Sequence, residues 1–456
     1  MDHNKKIQII SISDLLTQQL TIPLYQRPYK WSTKNIEELL DDILIAINNK
    51  KEKNCHPNYK YRIGTILLHK NEKKIKSKLV YDIVDGQQRV ISLILLSMYL
   101  YRNEHYPFNV IYEEGENGIF VEKKFNNKTT QKNIHDNYET IKSWFISNGR
   151  KDLIQDFIKS LSNLLEVVII TVDEDKESEA FQLFDSQNNR GKPLDPHDLL
   201  KAFHLREMRD QQIQMEAVVD VWESIEPDEI ANLFEVYLFP ILCWSRNQTV
   251  SSFTVNDIDI YKGIPDKEYN YAKRTIKAMP EYQICEPLIP GEDFFKFVNH
   301  YLELNRNIKV ILQKSNNQTF LTINKILSAI EKNQTGLNYA KNLFYCVLLS
   351  YYDRFGKLDE SVIRKLFIWS FMLRVDMDHL GFDSINKYAI GDLTKSYTNK
   401  IPMFSKIYYA RRHSEVSNLE ILVYNKTIEA ELKKKKQDKS KWEDLYITLK
   451  HLNGEL

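Results

Sequence analysis

The residues best suited to chemistry stand together at 84–89, "VDGQQR", where an acid, a glycine, two glutamines and an arginine precede an apolar run reaching Tyr101. "YDIV" ends a strand, Gly86 lets the backbone turn tightly, and a helix begins at once. The free N–H groups and positive dipole end of such a helix suit an anion. Arg89, on the first turn, can grip phosphate oxygens with two hydrogen bonds. Asp85 could hold Mg2+ or position a water, while Gln87 and Gln88 could read a base or orient a water. The bland alternative is that Asp85 caps the helix and Arg89 pairs with a neighbouring acid.

Two other stretches carry unusual chemistry. "IPLYQRPYKW" (22–31) packs prolines, aromatics, Gln26 and Arg27 into ten residues. Its prolines forbid a helix, so it displays aromatic and cationic groups on an extended segment that could stack a base and touch phosphate. Alternatively Trp31 is a staple packed on the core ahead of the next helix. In "FDSQNNRGKPLDPHDLLKAFHLR" (184–206), Gly191 and Pro193 specify a turn, and Asp195 and Pro196 read as a helix N-cap and first helical residue. Asn188, Arg190 and Lys192 are polar groups on that loop. Asp198 and Lys201, three apart on the helix, read as a surface ion pair.

The elements that must position these groups follow from periodicity. Residues 7–50 read as a short strand, a short helix, the extended segment, and a helix over "STKNIEELLDDILIAINN" with Ser32 or Thr33 as N-cap. "YRIGTILLHK" (61–70) and "KLVYDIVDG" (78–86) read as strands joined through an exposed turn at "NEKKIKSK", and a helix follows over 87–102. A small hairpin is expected within 103–130, helices over 134–148 and 151–164, and a buried strand at "LEVVIITVDED" (165–175). A helix over "KESEAFQLFDSQ" leads to the polar loop, and another begins near Pro196. Beyond about 205 the pattern is helical, for example over 228–245, 293–332, 336–354 and 360–375. The expected class is α+β, with an N-terminal domain over 1–208 and an all-α C-terminal region over 209–456.

With 456 residues, 43% hydrophobic and 27% charged, the chain has the composition of a globular protein of two or three domains. Its net charge of +1 supplies no global field toward nucleic acid or membrane, though a local patch remains open. Cys55, Cys243, Cys285 and Cys346 are dispersed, which disfavours a disulfide framework or zinc finger and points to a reducing cytoplasm. "MDHNKKIQII" has no signal-peptide core, and no apolar run is long enough to span a membrane. The basic run "LKKKKQDKSKW" (432–442) reads as a solvated helix face.

"YQRPYKW", "IGTILL", "YDIVDGQQRVISL" and "FDSQNNRGKPLDPHDLLKA", in this order, resemble the DGQQR-motif domain of GmrSD-type, modification-dependent restriction enzymes over about residues 8–208. The resemblance implies a ParB- and sulfiredoxin-like α+β fold that binds a nucleoside triphosphate, hydrolyses it with Mg2+, and couples it to DNA restriction in anti-phage defence. Asp85, Gly86, Gln87, Gln88 and Arg89 would form the nucleotide site, with Tyr25, Gln26 and Arg27 joining from the first motif. Asn188, Arg190, Lys192 and Lys201 would close over it. The family's nuclease partner is of the HNH type, but the candidates here, Asp378 and His379, then His413, Asn418 and Asn425, form no proper His–Asn–His set. DNA would then be cut by a separate nuclease subunit or by the DGQQR domain itself. A homo-oligomer and a non-hydrolysing nucleotide switch on DNA are further readings that the resemblance admits.

Overall fold

The computed structural model describes residues 7–52, 56–75, 78–101, 128–148, 150–173, 195–208, 211–264, 282–314, 317–377, 379–392, 397–433 and 442–455. By internal packing the chain divides into two units, one of residues 1–194 with 209–224 and one of residues 195–208 with 225–456. The architecture is α+β, as the sequence predicts, with every described strand in the first unit.

The first unit is built on a five-stranded mixed sheet of order β1-β5-β3-β4-β2. Its strands are β1 (Ile7–Ser11), β2 (Gln19–Thr21), β3 (Tyr61–Ile75), β4 (Lys78–Asp85) and β5 (Leu165–Val172). β4 pairs antiparallel with β3 and parallel with the short β2, while β3 runs parallel to β5. The expected exposed turn at "NEKKIKSK" is shorter than the charge run suggested, because β3 continues to Ile75 and Lys74 pairs with Leu79.

Helices α1 (Ile12–Leu16), α2 (Thr33–Lys51), α3 (Gln87–Leu100), α4 (Lys128–Ser147) and α5 (Arg150–Asn163) complete the described part of this core. Ser32 begins α2 with a capping box, its hydroxyl and backbone N–H both meeting the Asn35 carboxamide. α3 is apolar nearly all round and buried nearly all round, with Val90, Ile91, Leu93, Ile94, Leu95 and Leu96 inside the core. α4 begins at Lys128, a turn and a half before the expected start. The small hairpin expected within 103–130 falls largely outside the described residues, as does the helix expected over "KESEAFQLFDSQ".

The second unit is helical among its described residues. α6 (Pro196–Glu207) belongs to it, whereas α7 (Gln212–Ser224) belongs to the first unit. Its other principal helices are α8 (Pro227–Asn232), α9 (Phe239–Ser245), α10 (Glu292–Lys314), α11 (Gln318–Ala329), α12 (Thr335–Phe355), α13 (Glu360–Asp376), α14 (Phe382–Ala389) and α15 (Glu443–Asn453). α8 to α13 match the stretches that periodicity marks, while α14 and α15 lie beyond them. α12 and α13 form the centre, where the rings of Phe344 and Phe367 meet edge to face at 5.1 Å. No described helix is long and apolar enough to cross a membrane.

His204 locks α6 into this unit. Its ring stacks on Phe294 at 3.9 Å, its Nδ1 accepts from the Gly291 N–H at 3.0 Å, and its Nε2 donates to the Tyr261 carbonyl at 3.0 Å. Accepting at Nδ1 requires a neutral ring, and burial lowers the histidine pKa from 6.5 to about 3. Above pH 6.5 the ring is neutral folded or unfolded and contributes no pH dependence. As pH falls from 6.5 toward 3, the unfolded chain takes up a proton that the folded unit refuses, so stability drops by about 1.4 kcal/mol per pH unit from this group. Urea unfolding of wild type and His204→Gln across pH 7 to 5 is expected to show the wild type losing more stability on acidification than the variant.

Candidate functional site

The strand-to-helix corner of the first unit gathers the DGQQR residues with the extended first motif. Gly86 turns the corner at φ 92°, and a Cβ there would lie 3.0 Å from Ile66 of β3, so both conformation and space demand glycine. Glycine also leaves the N-cap without a side chain. α3 has no side-chain cap, which excludes the reading of Asp85 as its capping residue. The Val90 N–H bonds the Gly86 carbonyl at 2.9 Å, while the preceding N–H groups of Gln87, Gln88 and Arg89 have no partner among the described residues. They form an open donor cradle on the positive end of a fourteen-residue helix.

Arg89 is placed by the sheet. Its Nη1 donates to the Thr65 carbonyl at 2.7 Å, so the partner is a backbone oxygen and not the neighbouring acid of the bland alternative. The guanidinium lies over Gly64, at φ 147° beside a register shift in the β3–β5 pairing, where a Cβ would come within 2.8 Å of Arg89 Cζ. This gives the glycine of "IGTILL" a reason that sequence reasoning missed. Partial burial pulls the Arg89 pKa down, and the Asp85 charge opposes that shift.

The two glutamines chiefly hold the first motif. Gln88 Oε1 accepts from the Lys30 and Trp31 N–H groups at 2.7 and 3.1 Å, and its Nε2 donates to the Pro28 carbonyl at 3.2 Å. Gln87 Nε2 donates to the Arg27 carbonyl at 3.1 Å, and its buried Oε1 has no partner among the described residues. Gln26 reaches the other way, donating to the Ile83 and Val84 carbonyls at 3.0 and 2.6 Å. Tyr25 and Arg27 flank it, half-buried, and the Arg27 guanidinium has no partner among the described residues. Trp31 packs against the core, as the staple reading expected.

Helix α4 closes the clamp from the far side, which the sequence reading also missed. Thr130 accepts from the Tyr29 N–H at 3.0 Å, and Asn133 donates to its carbonyl at 2.8 Å. Asn137 donates to the Tyr29 hydroxyl at 2.9 Å and to the Trp31 carbonyl at 2.8 Å. Thr130, Asn133 and Asn137 share one face of a helix, so their spacing was a legible polar stripe. Burial raises the Tyr29 pKa to about 12, against its hydrogen bonds with Ser92 and Asn137.

Asn188, Arg190 and Lys192 lie outside the described residues. Lys201 is buried in the second unit, and Asp198 is buried too, so the expected surface ion pair is not at a surface. Among the described residues, those able to hold a cation are Asp85 at the corner and a group in the second unit that was not anticipated. There Asp195, His197 and Asp198 bring their ligand atoms within 4.8 Å of one another. Of the nuclease candidates, Asp378 lies outside the described residues and His379 is exposed. Asn425 caps a helix by accepting from Thr427 and Ile428.

Residues 12–205 match the family model of the GmrSD restriction endonuclease, N-terminal domain, so this part of the chain is similar to a GmrSD-type N-terminal domain. Residues 214–439 match a family of unknown function (DUF7834), and no nuclease domain is identified. No curated protein matches the chain.

The clamp makes a stability prediction. Gln88→Leu removes the oxygen that serves two backbone N–H groups and is expected to cost about 2–3 kcal/mol. Arg27→Ala, which breaks no described hydrogen bond, is expected to stay within about 0.5 kcal/mol of wild type in the same urea titration.

Proposed function

We propose that the corner binds a nucleoside triphosphate and, with Mg2+, hydrolyses it, in a protein that serves a restriction-type defence system. The GmrSD-type domain suggests the defence role and an interaction with DNA. The observation that carries the nucleotide reading is the open N-terminus of α3 with Arg89 anchored beside it and Arg27 held against it through Gln87.

On this reading the N–H groups of Gln87, Gln88 and Arg89 bind phosphate oxygens, and Arg89 offsets charge that develops during hydrolysis. Arg27 supplies a second cation, and Tyr25 a ring for stacking on the base. One carboxylate with substrate phosphates is a normal Mg2+ environment, so Asp85 fits the role of the protein's ligand. Bound there, the ion would neutralise phosphate charge. Gln87 and Gln88 position the first motif, and Asn188, Arg190, Lys192 and Lys201 remain candidates for closing over the nucleotide. The helical second unit would engage DNA or a separate nuclease subunit.

The test is phosphate release from ATP, GTP, UTP and CTP with Mg2+, with and without DNA. Arg89→Ala and Asp85→Ala are each expected to lower turnover by roughly 100-fold or more, as losing a transition-state charge partner does. Arg27→Ala is expected to act mainly on KM. Absence of both turnover and nucleotide binding would overturn the reading. Plasmid nicking without nucleotide, lost in Asp85→Ala, would favour a nuclease at the same corner.

A further inference from the structure

A second cavity, of about 380 Å3, lies wholly within the helical unit and is lined by aromatic, aliphatic and polar groups with one carboxylate, Glu235. Its origin is local. Pro240 is the second residue of α9, inside a helical run from Pro227 to Ser245, and has no N–H for the Val236 carbonyl. The chain answers with a π-helical turn over Leu233–Leu238, in which the Phe239 N–H bonds the Phe234 carbonyl. The freed Val236 carbonyl accepts instead from the Cys346 thiol at 3.0 Å. Burial raises that thiol's pKa, so it is a neutral donor and not a nucleophile.

Trp244, Leu343, Cys346 and Ile385 form the buried floor, with Tyr339 and Phe382 half-buried beside them. The indole N–H of Trp244 is already bound to Asn386 at 2.8 Å, which leaves the cavity side of that ring apolar. Around this surface stand the Asn342 carboxamide, the Tyr339 and Ser252 hydroxyls and the Glu235 carboxylate, none with a side-chain partner among the described residues. An apolar pocket with a few unengaged polar groups is the usual form of a small-ligand site. No Lys, Arg or His lines it, and Glu235 is acidic, so phosphate is excluded.

We propose that this cavity binds a planar, amine-bearing heterocycle of the adenine or cytosine kind. Aromatic walls stack on such a ring, a carboxamide pairs with an adenine-type edge, and a carboxylate accepts from an exocyclic amine. Two sources share this chemistry, a free nucleoside and a base exposed by a nucleic-acid strand.

Calorimetric titration of the full chain with adenosine, cytidine and uridine tests the proposal without phosphate. Adenosine or cytidine is expected to bind at least ~10-fold more tightly than uridine, and Asn342→Leu to weaken that binding ~10-fold or more. Glu235→Ala, an exposed change that leaves the floor intact, is expected to weaken it likewise. Competition by single-stranded oligo-dA or oligo-dC would assign the strand source, and failure to compete the free nucleoside. Absence of nucleoside binding overturns the proposal, as does binding that survives both variants. So does binding lost in Arg89→Ala, which would place the nucleoside at the α3 corner.

Discussion

The structure of the corner depends on how ten residues without regular structure are held still. Residues 22–31 lie between β2 and α2, and Pro23 and Pro28 deprive them of backbone donors. No ladder holds such a segment, so side chains must meet its backbone groups, and those groups are expensive to bury unmet. Gln87 and Gln88 from α3 and Asn133 and Asn137 from α4 do this work. Four carboxamides suit the task because each offers donors and an acceptor at once. The result is a rigid strap whose Arg27 and Trp31 have defined places.

The same logic explains Arg89. A guanidinium brought partly out of water loses solvation, and its lowered pKa records that cost. The Thr65 carbonyl offsets it, and Gly64 supplies the space, so the group is oriented before any ligand arrives. A preorganised charge does not have to be rearranged when an anion binds, and so acts more strongly than a mobile surface arginine.

Much of this was legible in the sequence, and the parts that were not share a cause. The strands read over 61–70 and 78–86, the buried α3, and the long helices after 225 announced themselves by apolar runs and periodicity, while the extension of β3 to Ile75 did not. The DGQQR cluster stood out as chemistry, and Gly86 as its turn. That the glutamines hold the first motif was not legible, because a sequence does not show which buried backbone groups lack partners. Gln88 is spent on Pro28, Lys30 and Trp31, which only the folded path of 22–31 brings to it. Gly64 went unexplained for the same reason, since the side chain it accommodates lies twenty-five residues on. Pro240, by contrast, was a visible signal inside a helical stretch, and it marks the π turn beside the second cavity.

A chain with a net charge of +1 can hold a polyanion only if charge is concentrated locally. On the proposed reading the corner does this without a basic patch, by combining two arginines with three backbone N–H groups that carry partial charge and need no counter-ion. Exposed lysines at the same net charge would be screened within about 8 Å at physiological ionic strength, whereas partly buried donors are screened much less. The near-neutral composition is therefore compatible with the anion site proposed for the corner, whose shape Gly64 and Gly86 set.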